Sequence, residues 1–231
     1  MPKGGLTLNN FKEAFDKDTL KILGKSLLFA LLTSVFCLLL AYPLALILSN
    51  KKFNRSAITV MLFVLPMWIN FLLRTLAIKT IFDFMGIPNG YWPALIGTVY
   101  DFLPFMILPI YTTLCNIDNS LTEASADLGA NSILTFLKVT LPLSVPGILS
   151  GTIMVFMPTV SSFAIPQYLG QKLILFGELI DNAFSKPGGS MRNIGSALSL
   201  IMLVLVGLSV FAANVFAKKQ SGLTEVKSGK W

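Results

Sequence analysis

From Ser26 to Ser49 the chain carries no charged residue, and a second uncharged run extends from Ser56 through Leu73. A bilayer needs about 20 consecutive apolar residues per helical span, so runs of this length constrain the fold before any motif is read. The composition agrees. Hydrophobic residues make up 54% and charged residues 13%, against roughly 25% charged in a soluble domain. The chain has no His, which removes His-based acid–base chemistry and the commonest metal ligand. Cys37 and Cys115 sit in or beside apolar runs and form neither a ligand cluster nor a disulfide framework. The net charge of +7 suits basic membrane anchors, and no long basic run or aromatic–basic motif points to nucleic acid.

Five spans are expected. They run from about Ser26 to Ser49, from Ser56 with Arg74 and Lys79 near its far end, from Tyr91 to Leu114, from Val145 to Leu169 and from Ile194 to Ala217. Tyr42-Pro43 suggests a kink in the first, and Pro158 and Pro166 interrupt the fourth. Residues 1–24 read as a polar, extracytoplasmic N-terminal segment, residues 25–217 as the transmembrane domain, and residues 218–231 as a loose cytoplasmic tail. Between the fourth and fifth spans, Leu173 to Phe184 is apolar but too short to span, which fits a re-entrant or interfacial helix. There is no internal repeat.

Between the third and fourth spans lies a polar island, residues 116–144. It contains Glu123-Ala124-Ser125-Ala126-Asp127-Leu128-Gly129 and, at fixed distance, Val139-Thr140-Leu141-Pro142. Helix formers fill Leu121 to Leu128. Ser120 or Thr122 is suited to cap their start, and Gly129 to supply a left-handed turn at their end. A second helical run covers Ser132 to Val139. The spacing of Glu123, Gly129, Leu141 and Pro142 resembles the cytoplasmic coupling loop of ABC importer permeases, the binding-protein-dependent inner-membrane components. Ser125 and Val139 are conservative departures from that pattern. The resemblance implies an all-α membrane fold of the methionine-importer-permease type. It also implies ATPase-coupling roles for Glu123, Ala124, Ser125, Asp127, Gly129, Leu141 and Pro142. Such a chain is not an enzyme and binds no cofactor. ATP is bound and hydrolysed by a partner ATPase dimer, and no Gly-x4-Gly-Lys-Ser/Thr loop is present here. The other implied partners are a second permease, an extracytoplasmic substrate-binding protein, the lipid bilayer and a small-molecule solute.

A second resemblance is to the spermidine/putrescine branch. It is carried by Leu65-Pro66-Met67-Trp68-Ile69-Asn70-Phe71-Leu72-Leu73-Arg74, by Ser26-Leu27 through Cys37 to Ala45 with Ala41 where Gly is usual, and by Asp101 through Tyr111. It weakens between Gln171 and Met191. It implies that the solute is a polyamine, with another small solute such as an amino acid as the alternative. It also implies that an N-terminal helix of longer relatives is missing here.

Polar groups inside spans are costly and usually mark function. The substrate-path candidates are therefore Trp68, Asn70, Arg74, Asp101, Ser161, Ser162 and Asp181. All but Asn70 have a plainer reading. Asp101 is placed to meet a cationic amine or to pair with Arg74 or Lys79, and Trp68 either lines a path or packs. Ser161 and Ser162 face either the solute or a neighbouring helix, and Glu178 and Asp181 form either an amine contact or a solvated face.

The positive-inside rule leaves the orientation open, because Lys and Arg divide equally between the two sides. Only the resemblance orients the chain, with the polar island and C-terminus inside and the N-terminus outside. A stand-alone secondary transporter would show an ion relay or inverted repeats, and a membrane enzyme would show paired buried carboxylates or a Cys cluster. The sequence shows none of these.

Overall fold

A computed structural model describes residues 16–50, 57–171, 173–185 and 189–228, and the side chains of these except 57–59, 189–191 and those after Phe211. Among them the chain is helical: α1 Lys17–Ser49, α2 Ala57–Val64, a 3-10 turn Leu65–Trp68, α3 Phe71–Phe84, α4 Tyr91–Cys115 and α5 Asn119–Asp127. There follow α6 Ser132–Thr135, a π-helical turn Phe136–Thr140, α7 Leu141–Ser161, α8 Ala164–Leu169, α9 Phe176–Ser185 and α10 Gly189–Ser228.

Four of these stretches are long and apolar enough to cross a membrane: Lys17–Ser49, Tyr91–Cys115, Ser132–Ser161 and Arg192–Phe211. A fifth span is reached when the pair Val60–Trp68 and Phe71–Phe84, bent by 100°, counts as one. The second expected span is thus broken. Pro66 lies in the 3-10 turn and has no N–H to extend the preceding helix.

The fourth expected span also differs. Its helix ends at Ser161, and α8 is a separate short element. Pro166 cannot donate to the carbonyl four residues back, and its ring would meet that carbonyl. The polar tail expected to be loose is helical as far as Ser228. At the other end, α1 already begins at Lys17, within the segment read as polar.

The first helix shows why the fold belongs in lipid. Its buried side is rich in small and polar residues: Ser26, Ala30, Thr33, Ser34, Cys37, Ala41 and Ala45. Its exposed side carries Leu28, Leu31, Val35, Leu39, Leu40 and Ile47. Small residues that let helices approach, with bulky aliphatics left outside, is the pattern of a membrane helix rather than of a soluble core.

The chain divides into two compact units. The first gathers the described residues up to Leu32, Leu72–Thr98 and Met157–Ser209. Its core includes Phe29, Leu95, Ile165, Leu169, Leu175 and Phe176. The ring of Phe29 meets Tyr91 edge to face at 5.5 Å, and the Phe176 N–H donates to Ser26 Oγ at 2.8 Å. A Cβ on Gly97 would lie 2.6 Å from Leu169 Cδ1, so the Leu169 side chain of α8 rests directly on α4 at this glycine.

The second unit gathers Thr33–Phe71, Val99–Phe156 and the residues from Val210 on. Here α7 crosses α4 closely. A Cβ on Gly147 would lie 2.7 Å from Pro109 O, and one on Gly151 would lie 2.7 Å from Met106 Sδ. The four-residue spacing of these glycines is a small-xxx-small contact.

Candidate functional site: the polar loop and its attachments

The polar island folds into two short helices joined by a tight turn. α5 starts at Asn119, two residues before the expected run, so neither Ser120 nor Thr122 is its cap. Asp118 is the cap, accepting the Ser120 N–H at 3.0 Å. That backbone hydrogen bond holds the Asp118 carboxyl below its ordinary range. Thr122 instead donates to Asn119 O at 2.7 Å.

Gly129 ends the helix as expected, with φ +81°. Its N–H donates to Ala126 O at 2.8 Å, and the Ala130 N–H donates to Ser125 O at 3.0 Å. These two bonds form a Schellman closure. Asn131 then caps α6 by accepting the Leu134 N–H at 2.9 Å.

The two helices are tied side to side. Ser125 Oγ lies 2.7 Å from Thr135 Oγ1 and donates to Thr122 O at 2.9 Å. A hydroxyl has one proton, so Thr135 donates to Ser125. The usual small apolar residue at position 125 would lack this tie.

Leu141-Pro142 closes the loop in a way the sequence did not reveal. Pro142 has no N–H and would clash with a carbonyl one α-turn back. The chain answers with the π turn directly before it, in which the Leu141 N–H donates to Phe136 O. Glu123, Ala124, Asp127, Gly129 and Pro142 are exposed, while Ser125 and Leu141 are half-buried. The loop also exposes apolar side chains. Leu128 is 88% and Ile133 70% exposed, a surface of the kind that a partner covers.

The path candidates do not fall into one cluster. Trp68 and Asn70 lie at the break before α3, and Trp68 is 86% exposed, so it is no packing residue of this chain. Arg74 and Asp101 are both buried, and each is engaged in a polar interaction. Lys79 pairs with Asp83 at 2.7 Å.

Ser161 ends α7 and donates to the carbonyl of Pro158 at 3.2 Å, whereas Ser162 is buried with no hydrogen-bond partner for its Oγ among the described residues. Gly177 of α9 packs on these two serines, and a Cβ there would lie 2.2 Å from Ser161 O and 2.8 Å from Ser162 O. Glu178 follows at once. Glu178 and Asp181 are half-buried rather than forming a solvated face. Glu178 Oε2 is enclosed with no hydrogen-bond partner among the described residues. Burial, and then the nearby Asp181 charge, push the Glu178 carboxyl up.

Sequence reasoning missed Ser26, Gly177, Gly147 and Gly151. The Gly147–Gly151 spacing was a usable signal for close helix packing. Ser26 contacts Phe176, far away in the chain, and Gly177 contacts the end of α7, and neither left a local signal.

Comparison with known proteins supplies the family. The model of the binding-protein-dependent transport system inner membrane component matches residues 20–221. The chain belongs to this family. Its members are transport components of the inner membrane, and the several apolar helices fit a multi-pass protein there. Among relatives, it is 34% identical over 226 residues to the spermidine/putrescine transport system permease protein PotB of Haemophilus influenzae, covering 89% of this chain and 78% of that one. It is 30% identical over 222 residues to PotB of Escherichia coli, covering 87% and 79%. A PotB homolog of Mycoplasma pneumoniae is 37% identical over 208 residues, covering 83% and 72%.

Two solved structures share the fold. An inward-facing MetNI methionine ABC transporter chain matches with TM-score 0.69 at 18% identity, covering 87% of this chain and 95% of that one. A chain of a bacterial ABC transporter involved in import of the acidic polysaccharide alginate matches with TM-score 0.73 at 15% identity, covering 94% and 85%. The family's fold is therefore the methionine-importer-permease type expected from the coupling-loop pattern.

Proposed function

We propose that this chain is a permease subunit of an ATP-binding cassette importer for polyamines. It forms part of the translocation path and couples that path to a separate ATPase dimer. A second permease completes the path, and an extracytoplasmic binding protein delivers spermidine or putrescine. The observation that carries this reading is the likeness to spermidine/putrescine permeases over most of the chain. The exposed loop 116–144, with Leu128 and Ile133 uncovered, supports its use as the ATPase contact. In this reading the chain itself binds no nucleotide, and ATP binding by the partner moves α5 together with the ATPase surface it sits on.

For the solute, Asp101, Glu178 and Asp181 supply carboxylates inside the protein. Such groups suit a polycation, since a charge in a low-dielectric setting is tolerated when an opposite charge meets it. Trp68, Asn70, Arg74, Ser161 and Ser162 are the further path candidates.

The test of the coupling half is retention of the ATPase. An affinity-tagged chain, coexpressed with its second permease and ATPase, should retain the ATPase in detergent, and Leu128→Asp should weaken that retention at least tenfold. Full membrane insertion with no ATPase retained by the unaltered chain would contradict the reading.

A further inference from the structure

Tyr42, beside Pro43 in α1, lies outside the polar loop and outside the substrate-path candidates. Its surroundings are specific. The Tyr42 ring meets the Phe136 ring edge to face at 5.8 Å. The Tyr42 hydroxyl lies 2.8 Å from Ser144 Oγ. Ser144 is fully buried and donates its one proton to Leu141 O at 2.8 Å. Tyr42 is therefore the donor, and Ser144 accepts.

Phe136 is the first residue of the π turn, and Ser144 lies on α7 just beyond that turn. Tyr42 thus touches the chain on both sides of the widened turn. A π turn holds one residue more than an α turn. Relaxing it to α would rotate everything downstream by about 100° relative to everything upstream. Phe136 would stay in place, and Ser144 would swing away from the tyrosine. Both contacts coexist in the π register.

On the upstream side, Thr135 is tied to Ser125 of α5. A continuous set of contacts therefore runs from α5 through α6 and the π turn to α7 and α1.

We propose that Tyr42 is a positioning residue for coupling: it latches the π turn between Phe136 and Ser144, so that displacement of α5 passes to α7 undiminished. Without the latch, the widened turn absorbs part of the motion. This rests on the coupling role proposed above, and it assigns that role to a residue outside the loop.

Tyr42→Phe keeps the ring on Phe136 and removes only the hydroxyl that donates to Ser144. It is tested in the complete complex of both permeases, ATPase and binding protein, reconstituted in liposomes with radiolabelled spermidine. ATP hydrolysed per spermidine imported should rise about fivefold, the scale of one lost hydrogen bond. Ser144→Ala should do the same, Ser144→Thr should restore the ratio, and the double variant should be no worse than either single variant, as for two groups of one interaction.

Amide hydrogen exchange across residues 136–144 is the second readout, and it should accelerate severalfold in Tyr42→Phe. Additive losses in the double variant, or either readout unchanged in Tyr42→Phe, overturn the proposal. If the unaltered complex imports no spermidine, the polyamine reading fails instead, and the exchange measurement alone then decides the latch.

Discussion

Gly177 shows how much a single atom matters where α9 meets the end of α7. A Cβ there would lie 2.2 Å from a backbone oxygen that no rotamer change can move. Gly177→Ala should lower the thermal midpoint of the purified protein, with a cost of about 1–3 kcal/mol, as for other forced contacts. Gly24 is the contrast. It lies in α1, where a Cβ would meet nothing within 4 Å. Gly24→Ala should raise the midpoint slightly, by about 0.5–1 kcal/mol of recovered helix propensity. If both substitutions shift the midpoint alike, the α7–α9 contact is misplaced.

At this scale the sequence was only partly legible. Costly polar residues such as Asp101 and Ser162 announced themselves within apolar runs. Ser26, which accepts the Phe176 N–H from the far side of the chain, did not. A serine in a span carries no mark of its partner.

Among the elements, the loop 116–144 was the most readable. Glu123, Gly129 and Leu141-Pro142 fixed two short helices, a left-handed turn and an entry into α7, and all three are present. The cap was misread because Asp118, which precedes both Ser120 and Thr122, is itself a strong capping residue and accepts the Ser120 N–H. The π turn was not legible, since it is the joint result of Pro142 in a continuing helix and of contacts with Tyr42, which is distant in sequence.

The break in the second span was hidden for a related reason, since hydropathy counts apolar residues but not the hydrogen bond that Pro66 removes. The interruption expected at Pro166, by contrast, is present as the separate helix α8. Gly129→Val is the test at this scale. A β-branched residue at φ +81° costs more than the roughly 1–2 kcal/mol of an ordinary left-handed residue, so the Schellman closure should open. Transport and binding-protein-stimulated ATP hydrolysis should both fall severalfold while membrane insertion is unchanged. Normal transport would remove Gly129 from the coupling account.

For the whole molecule, the family assignment and the helical fold agree, but orientation rests on the coupling loop, because basic residues are evenly divided between the two sides. With the bent pair as one span, the proposed coupling role puts the loop and the C-terminus together on the cytoplasmic side. Single cysteines at Asn119 and Gln220, in a background without Cys37 and Cys115, should resist impermeant thiol reagents in intact cells and react in inverted vesicles. Labelling of both from outside would reverse the orientation.

The central claim is that this chain carries polyamines at the expense of ATP hydrolysed elsewhere. The most direct measurement is uptake of radiolabelled spermidine by liposomes holding both permeases and the ATPase, with the binding protein on the outside and nucleotide on the inside. The account predicts uptake that requires ATP, stops when the ATPase cannot hydrolyse it, persists without a proton gradient, and falls at least tenfold in Asp101→Asn at equal protein abundance. Import of an amino acid or a sugar with no response to spermidine would contradict the polyamine assignment, and uptake that proceeds without ATP would contradict the account as a whole.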